Sequence, residues 1–218
     1  MINTKRFRLR IFIPVFPNFN IYTSLAGKTT SVGPIYVATN ANQLDNWDVE
    51  VIDENNLHGK FYPRDPENRL DHEQLQKERP ADVVGFYASI TSTVPRLYEL
   101  AGFYQRAGVK TVAGGKHTEA MVEEALQNGI DVVVLGEGEL TIRELLTAWE
   151  QDGDLSEIPG IAYLHDGRVH KTEPRPLIHD FDALPLPDFN LLRYAKITLY
   201  PITRTRRSEE RRVGKECT

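Results

Sequence analysis

The chain has a single cysteine, Cys217, in 218 residues. No intrachain disulfide can form, which fits a reducing compartment and gives the cytoplasm as the expected location. No apolar run approaches the roughly 20 residues that cross a bilayer. The N-terminal "RIFIPVF" is short and interrupted by Pro14, so it is expected to be a first buried strand rather than a leader peptide. Positive charge is in deficit: 26 basic residues against 31 acidic ones leave a net charge of −5. With no basic excess to follow a phosphate backbone, nucleic acid is not expected as a partner.

Several catalytic and nucleotide-binding signatures are also absent. C-x-x-C, H-E-x-x-H and G-x-S-x-G do not occur. "AGKTT" resembles the end of a phosphate-binding loop, but Tyr22 stands where that motif needs its first glycine. "GEGELT" places Thr141 where a dinucleotide fingerprint ends in glycine. The six histidines are scattered without metal-ligand spacing, so no metal site is expected. His58, His72, His165, His170 and His179 fall in segments that read as solvated surface.

What is present is an alternation of short apolar runs and helical stretches. Strands are expected at 8–15, 47–53, 81–90, 109–115 and 130–136. Helices are expected from Pro34 to about residue 44, and at 70–79, 92–108, 118–129 and 139–153. Thr141 and Glu144 have capping-box spacing, although a slightly earlier helix start remains open. Strands separated by helices imply parallel pairing through right-handed crossovers. The expected fold is a doubly wound α/β domain: a five-stranded parallel sheet, Rossmann-like, with flavodoxin-like strand order. A β-hairpin at 160–174, turning at Asp166-Gly167, and a proline-rich extended connector should follow it. The expected organisation is an α/β domain over 1–154, hairpin and linker over 155–206, and a non-native or disordered tail over 207–218.

Ligands of open parallel sheets bind outside the carboxyl ends of the strands. Four loops fall there: Phe16, Pro17 and Asn18 after strand one; Ser89, Ile90, Thr91 and Ser92 after strand three; Gly114, Gly115, Lys116 and His117 after strand four; and Gly136, Glu137, Gly138 and Glu139 after strand five. Glycines let a bulky ligand approach the backbone, and they also serve turns. For Glu139 the dipole of the helix it begins is at least as good an explanation as ligand binding. Glu137 is the better candidate to accept hydrogen bonds from ligand amides or hydroxyls. His117 stands apart from the other histidines only by its position in this loop set, and a solvated loop residue is the simpler reading.

"VVGFYASITST", "TVAGGKHT" and "DVVVLGEGELTIRELL", in that order, resemble the N-terminal cobalamin-binding domain of cobalamin-dependent radical S-adenosylmethionine enzymes. The resemblance covers roughly residues 8–206. It implies cobalamin lying over the four loops, with Gly114, Gly115, Gly136 and Gly138 admitting the corrin or its nucleotide tail. Ser89, Thr91 and Ser92 would donate hydrogen bonds, and Lys116 and His117 would reach the corrin's polar rim. The D-x-H-x-x-G motif that carries a cobalt-binding histidine in the wider fold is absent. The implied state is therefore base-off cobalamin with no protein histidine on the metal.

In that family "TRTR" is similar to the lead-in to a C-x-x-x-C-x-x-C motif holding a 4Fe-4S cluster. Here "RSEERRVGKECT" follows instead, resembling translated sequencing adapter. The expectation is thus a piece of a larger enzyme, without the cluster, the S-adenosylmethionine site and the catalytic barrel that the resemblance implies for its parent, and inactive alone. Two alternatives stay open: a stand-alone corrinoid carrier or sensor, and an unrelated enzyme using the same edge for a nucleotide or sugar phosphate.

Overall fold

The structure, a computed structural model, describes residues 7–17, 23–26, 29–58 and 62–196. The chain runs β1 (Phe7–Ile13), α1 (Thr23–Ala26), α2 (Val32–Ala41), β2 (Trp47–Asp53), α3 (His72–Glu78) and β3 (Val83–Tyr87). A 3-10 turn, Thr91–Thr93, leads into α4 (Val94–Arg106), then β4 (Lys110–Gly114), α5 (Lys116–Ala120) and α6 (Val122–Gln127). β5 (Val132–Val134), α7 (Gly138–Glu150), β6 (Ile161–His165), β7 (Arg168–Lys171) and β8 (Leu192–Arg193) complete it.

The strands form one sheet in the order β7-β6-β5-β4-β3-β1-β2-β8. Strands β1 to β5 are mutually parallel, in register pairs such as Ile11 with Val51 and Gly85 with Val112. The expected count of five is corrected to eight among the described residues. The hairpin is not an appendage: β6 pairs antiparallel with β5, and β7 with β6. An open edge of unpaired N–H and C=O groups invites such covering. At the other edge the connector adds the two-residue β8, parallel to β2.

The strands are apolar on both faces because helices cover both. Leu9, Ile11 and Val51 pack with Ala38, Ile142 and Leu145 of α2 and α7 on one face. Phe12, Val84 and Phe86 pack with Leu75, Leu97 and Tyr104 of α3 and α4 on the other. The hairpin turns where expected, with Asp166 at φ 50° and Gly167 at φ 74°.

Two helical expectations change. The single helix at 118–129 is two, because Met121, at φ −120° and ψ 51°, leaves helical conformation between α5 and α6. No proline or glycine marks that break in the sequence. The capping box does not form, since α7 begins at Gly138 and Thr141 lies inside it, donating to the Glu137 carbonyl at 3.0 Å. Glu144 instead pairs with Arg175 of the connector.

One charged pair is enclosed within the fold. Arg10 of β1 donates to Glu50 of β2 at 2.7 Å, with both side chains fully buried. Arg79 caps the second Glu50 oxygen at 2.9 Å, and Gln76 accepts from Arg10 at 3.1 Å. Glu50→Gln, which leaves the guanidinium without its counter-charge, should lower unfolding free energy by about 3–5 kcal/mol in urea titration. Replacing Arg10 and Glu50 together by methionine should cost far less than that single change.

Candidate functional site

Strands β1 to β5 all end on one side of the sheet, and two cavities open there. The lower holds about 230 Å³ and is bounded by Ile11, Val112 and Val134 from the strands and Pro34, Val37 and Ile142 from α2 and α7. Six of its wall residues are glycines: Gly33, Gly85, Gly114, Gly115, Gly136 and Gly138. Glu137 and Glu139 stand on the same wall. The upper cavity holds about 370 Å³ and takes in Ile13, Phe16, Asp53, Asn55, Ile90 and Thr93, with Thr29, Thr30 and Ser31 before α2. Tyr87, at the end of β3, lines both.

The glycines serve different purposes. Gly115 has φ +133°, and a Cβ there would sit 2.6 Å from the Ala88 carbonyl carbon, so backbone crowding demands it. Gly136, at φ +81°, has open space where a Cβ would be. Gly33 is open too, with nothing nearer to a Cβ than Tyr87 at 3.9 Å. At Gly114 a Cβ would make only ordinary contact, 3.6 Å from Val134. The lower cavity is therefore a slot with mostly apolar walls, whose missing side chains leave room for a flat group.

The sequence candidates divide between these cavities and their surroundings. Gly114, Gly115, Gly136, Glu137, Gly138 and Glu139 meet in the lower slot, and Phe16 and Ile90 in the upper. Pro17 and Ser92 line a separate surface cleft beside Arg96. Asn18 lies outside the described residues, as do positions 197–218. Ser89 is half-buried and borders neither cavity. Lys116 is exposed and ion-paired with Glu119 at 2.8 Å. Glu137 also accepts from the Ile178 N–H at 2.7 Å, which fastens the connector over the start of α7.

His117 is not a solvated loop residue. It lies in α5 with its side chain 11% exposed, Nδ1 3.3 Å from the Thr91 hydroxyl and Nε2 3.6 Å from Glu124. His72 likewise departs from its expected surface setting. It is buried between the Tyr104 hydroxyl and Glu54, each at 3.0 Å. Local sequence could not show this, because both partners are distant in the chain.

Sequence reasoning also passed over residues 53–56, which organise the edge. Asn55 accepts from the Phe16 N–H at 2.8 Å and donates to the Pro14 carbonyl at 3.1 Å, holding the loop after β1. Glu54 receives Arg96 at 2.7 Å and the Val15 N–H at 3.2 Å besides His72. Burial alone would raise the Glu54 carboxyl, but hydrogen bonds and charge from His72 and Arg96 overcome it and hold the group at about 2. Burial raises the Asp53 carboxyl above its ordinary value, and Asn55 and the Thr30 hydroxyl oppose only part of the rise.

Residues 21–146 match the B12 binding domain family. The chain belongs to that family. Cobalamin is accordingly the ligand of this B12-binding domain. The domain is 36% identical over 123 residues to an uncharacterized methyltransferase of Pyrococcus horikoshii, covering 55% of this chain and 27% of that protein. It is 32% identical over 152 residues to the anaerobic magnesium-protoporphyrin IX monomethyl ester cyclase of Rubrivivax gelatinosus, covering 63% of this chain and 26% of the other. It thus spans about a quarter of the length of these curated relatives.

Solved structures share the fold of this B12-binding domain. The radical S-adenosylmethionine methyltransferase TsrM from Kitasatospora setae, with cobalamin and a [4Fe-4S] cluster bound, superposes with a TM-score of 0.57 at 20% identity, over 84% of this chain and 32% of that one. The cobalamin-dependent S-adenosylmethionine radical enzyme OxsB, with aqua-cobalamin bound, gives 0.57 at 15% identity over 80% and 23%. Among the described residues no helix of the domain is long and apolar enough to cross a membrane.

Two stability measurements test this geometry. Gly115→Ala should lose about 2 kcal/mol or more, because it meets both positive φ and the Ala88 backbone, whereas Gly114→Ala should unfold like the parent. For Glu54, whose value is lowered in the folded state, the stabilisation is present above pH 4.5 and is lost as pH falls from there towards about 2. It amounts to about 3 kcal/mol. Urea midpoints should fall across that interval for the parent, and Glu54→Gln should be weaker at pH 7 with a flatter profile.

Proposed function

We propose that the two edge cavities hold cobalamin in its base-off form, with the freed base of the nucleotide tail in the lower slot and the corrin side of the molecule towards the upper cavity. The observation that carries this reading is the glycine-walled slot at the carboxyl edge of a B12-binding domain. Its mostly apolar walls would bury a flat aromatic base without asking its ring for more than shape. No histidine lines either cavity among the described residues, which supports cobalt without a protein imidazole. His72 is turned to Glu54 and Tyr104, and His117 to Thr91 and Glu124.

The chain's own residues would bind and orient the cofactor and exclude water from its base. Bound cobalamin supplies the methyl-carrying or related chemistry, as is usual where a cofactor does the hard step. The whole protein is read as a cobalamin-dependent radical S-adenosylmethionine enzyme, in which a further domain carries the 4Fe-4S cluster and the S-adenosylmethionine site. Support comes from the resemblance in the sequence and from the kinds of protein that share this fold. The stand-alone carrier and the nucleotide-binding enzyme have no observation in their favour.

The test is an anaerobic titration of the chain with hydroxocobalamin, followed by gel filtration and absorption spectroscopy. Co-elution with a base-off spectrum is expected. A spectrum of histidine-ligated cobalt would overturn the ligation, and a folded chain that takes up no cobalamin would overturn the assignment of these cavities. Gly33→Leu, which fills open slot space while improving a helical position, should weaken binding by about tenfold or more without loss of stability.

A further inference from the structure

The two cavities are stacked along β1. Ile11 lies on the wall of the lower and Ile13 on the wall of the upper, one pleat apart on the same face of the strand. That is a step of about 7 Å towards the open edge. A ligand whose base enters the lower slot must leave its next portion beside the upper cavity. The upper wall differs in chemistry from the lower: it carries hydroxyls and the carboxylate of Asp53, which is only 2% exposed.

Asp53 is unusual because a buried carboxylate normally has a cationic partner. Glu50 has Arg10 and Arg79, and Glu54 has Arg96. No lysine or arginine lines the upper cavity among the described residues. Both hydrogen bonds from Asn55, at 3.0 and 2.9 Å, end on Oδ1. The Thr30 hydroxyl alongside is buried and, apart from easing the Asp53 charge, has no hydrogen-bond partner. Such a wall requires hydrogen-bond donors from whatever fills the cavity, since polar groups buried without partners are costly.

We propose that Asp53 is a specificity-determining residue of the cofactor site, accepting a neutral N–H or O–H donor from the periphery of cobalamin and disfavouring a carboxylate there. This rests on the placement of cobalamin in these cavities. Two parts of the cofactor carry that donor chemistry: the amides around the corrin rim and the ribose hydroxyls of the nucleotide tail. Neither is cationic, which matches a carboxylate with no basic neighbour in the cavity among the described residues.

The experiment compares, at pH 8, the binding of five probes to the full chain and to Asp53→Asn: cobalamin, its b-, d- and e-monocarboxylic acids, and cobinamide, which lacks the nucleotide. The asparagine keeps an acceptor for the Asn55 bonds while withdrawing the charge. If the donor is a rim amide, the parent should bind at least one acid about tenfold more weakly than cobalamin, and the variant should narrow that gap to about threefold or less. If the donor is a ribose hydroxyl, the variant should weaken cobalamin about tenfold and leave cobinamide unchanged.

The proposal is overturned if the variant binds every probe as the parent does, or if discrimination against the acids survives in it with cobalamin binding intact. Failure of the parent to bind cobalamin removes the placement itself. Parent binding without an Asp53 effect removes only this subsite. Asp53→Ser, which also withdraws the charge while retaining an acceptor, carries the same expectations should Asp53→Asn not fold.

Discussion

The backbone of Gly115 lies against that of Ala88, and the ligand edge is built on that contact. A Cβ at Gly115 would fall 2.6 Å from the Ala88 carbonyl carbon. The same approach lets Ala88 donate to the Gly114 carbonyl at 2.8 Å and accept from the His117 N–H at 2.9 Å. The loops leaving β3 and β4 are thereby one unit, and β5, packed beside β4, brings Gly136 and Gly138 to the same wall. Neighbouring glycines there answer separate demands. Gly115 allows two backbones to touch, while Gly33 and Gly136 leave space unfilled.

A second junction fixes the rest of the edge. Residues 53–56 form a polar turn whose side chains reach segments far away in sequence. Asn55 holds the loop after β1, Glu54 gathers His72 of α3 and Arg96 of α4, and Asn56 accepts from the Lys196 N–H of the connector at 3.3 Å. The connector is tied elsewhere as well, by Glu137 to Ile178 and by the Thr39 hydroxyl, which accepts from the Asp188 N–H at 2.9 Å. Segments at the carboxyl edge of the sheet and the connector therefore share anchors. In a B12-binding domain that spans about a quarter of its curated relatives, those anchors set how the chain leaves the ligand edge.

The division of labour between the cavities follows from strand geometry. A parallel strand shows every second residue to one face, so Ile11 and Ile13 line two cavities at successive levels of that face. Deep in the sheet the walls must be mostly apolar, because the strands there are covered on both sides. Nearer the edge, turn residues replace strand residues, and hydroxyls, Asn55 and Asp53 appear. In the proposed placement, a cofactor with an aromatic base at one end and polar groups at the other meets that gradient in order.

Local pattern in the sequence was enough to locate the five parallel strands, most of the helices, the Asp166-Gly167 turn and the glycine loops at the carboxyl edge. Each of these depends on residues within a few positions of one another: apolar runs, caps and turn dipeptides. Tertiary structure alone decided that the hairpin joins the sheet, since that depends on the free edge of β5. It alone buried His72 against Glu54 and Tyr104, residues 18 and 32 positions away, and turned His117 to Thr91 and Glu124. It also turned residues that read as loop into the anchors of the site. Hydrogen bonds across 39 to 140 positions leave no periodic trace, because they depend on where the folded sheet brings chain segments together rather than on their order.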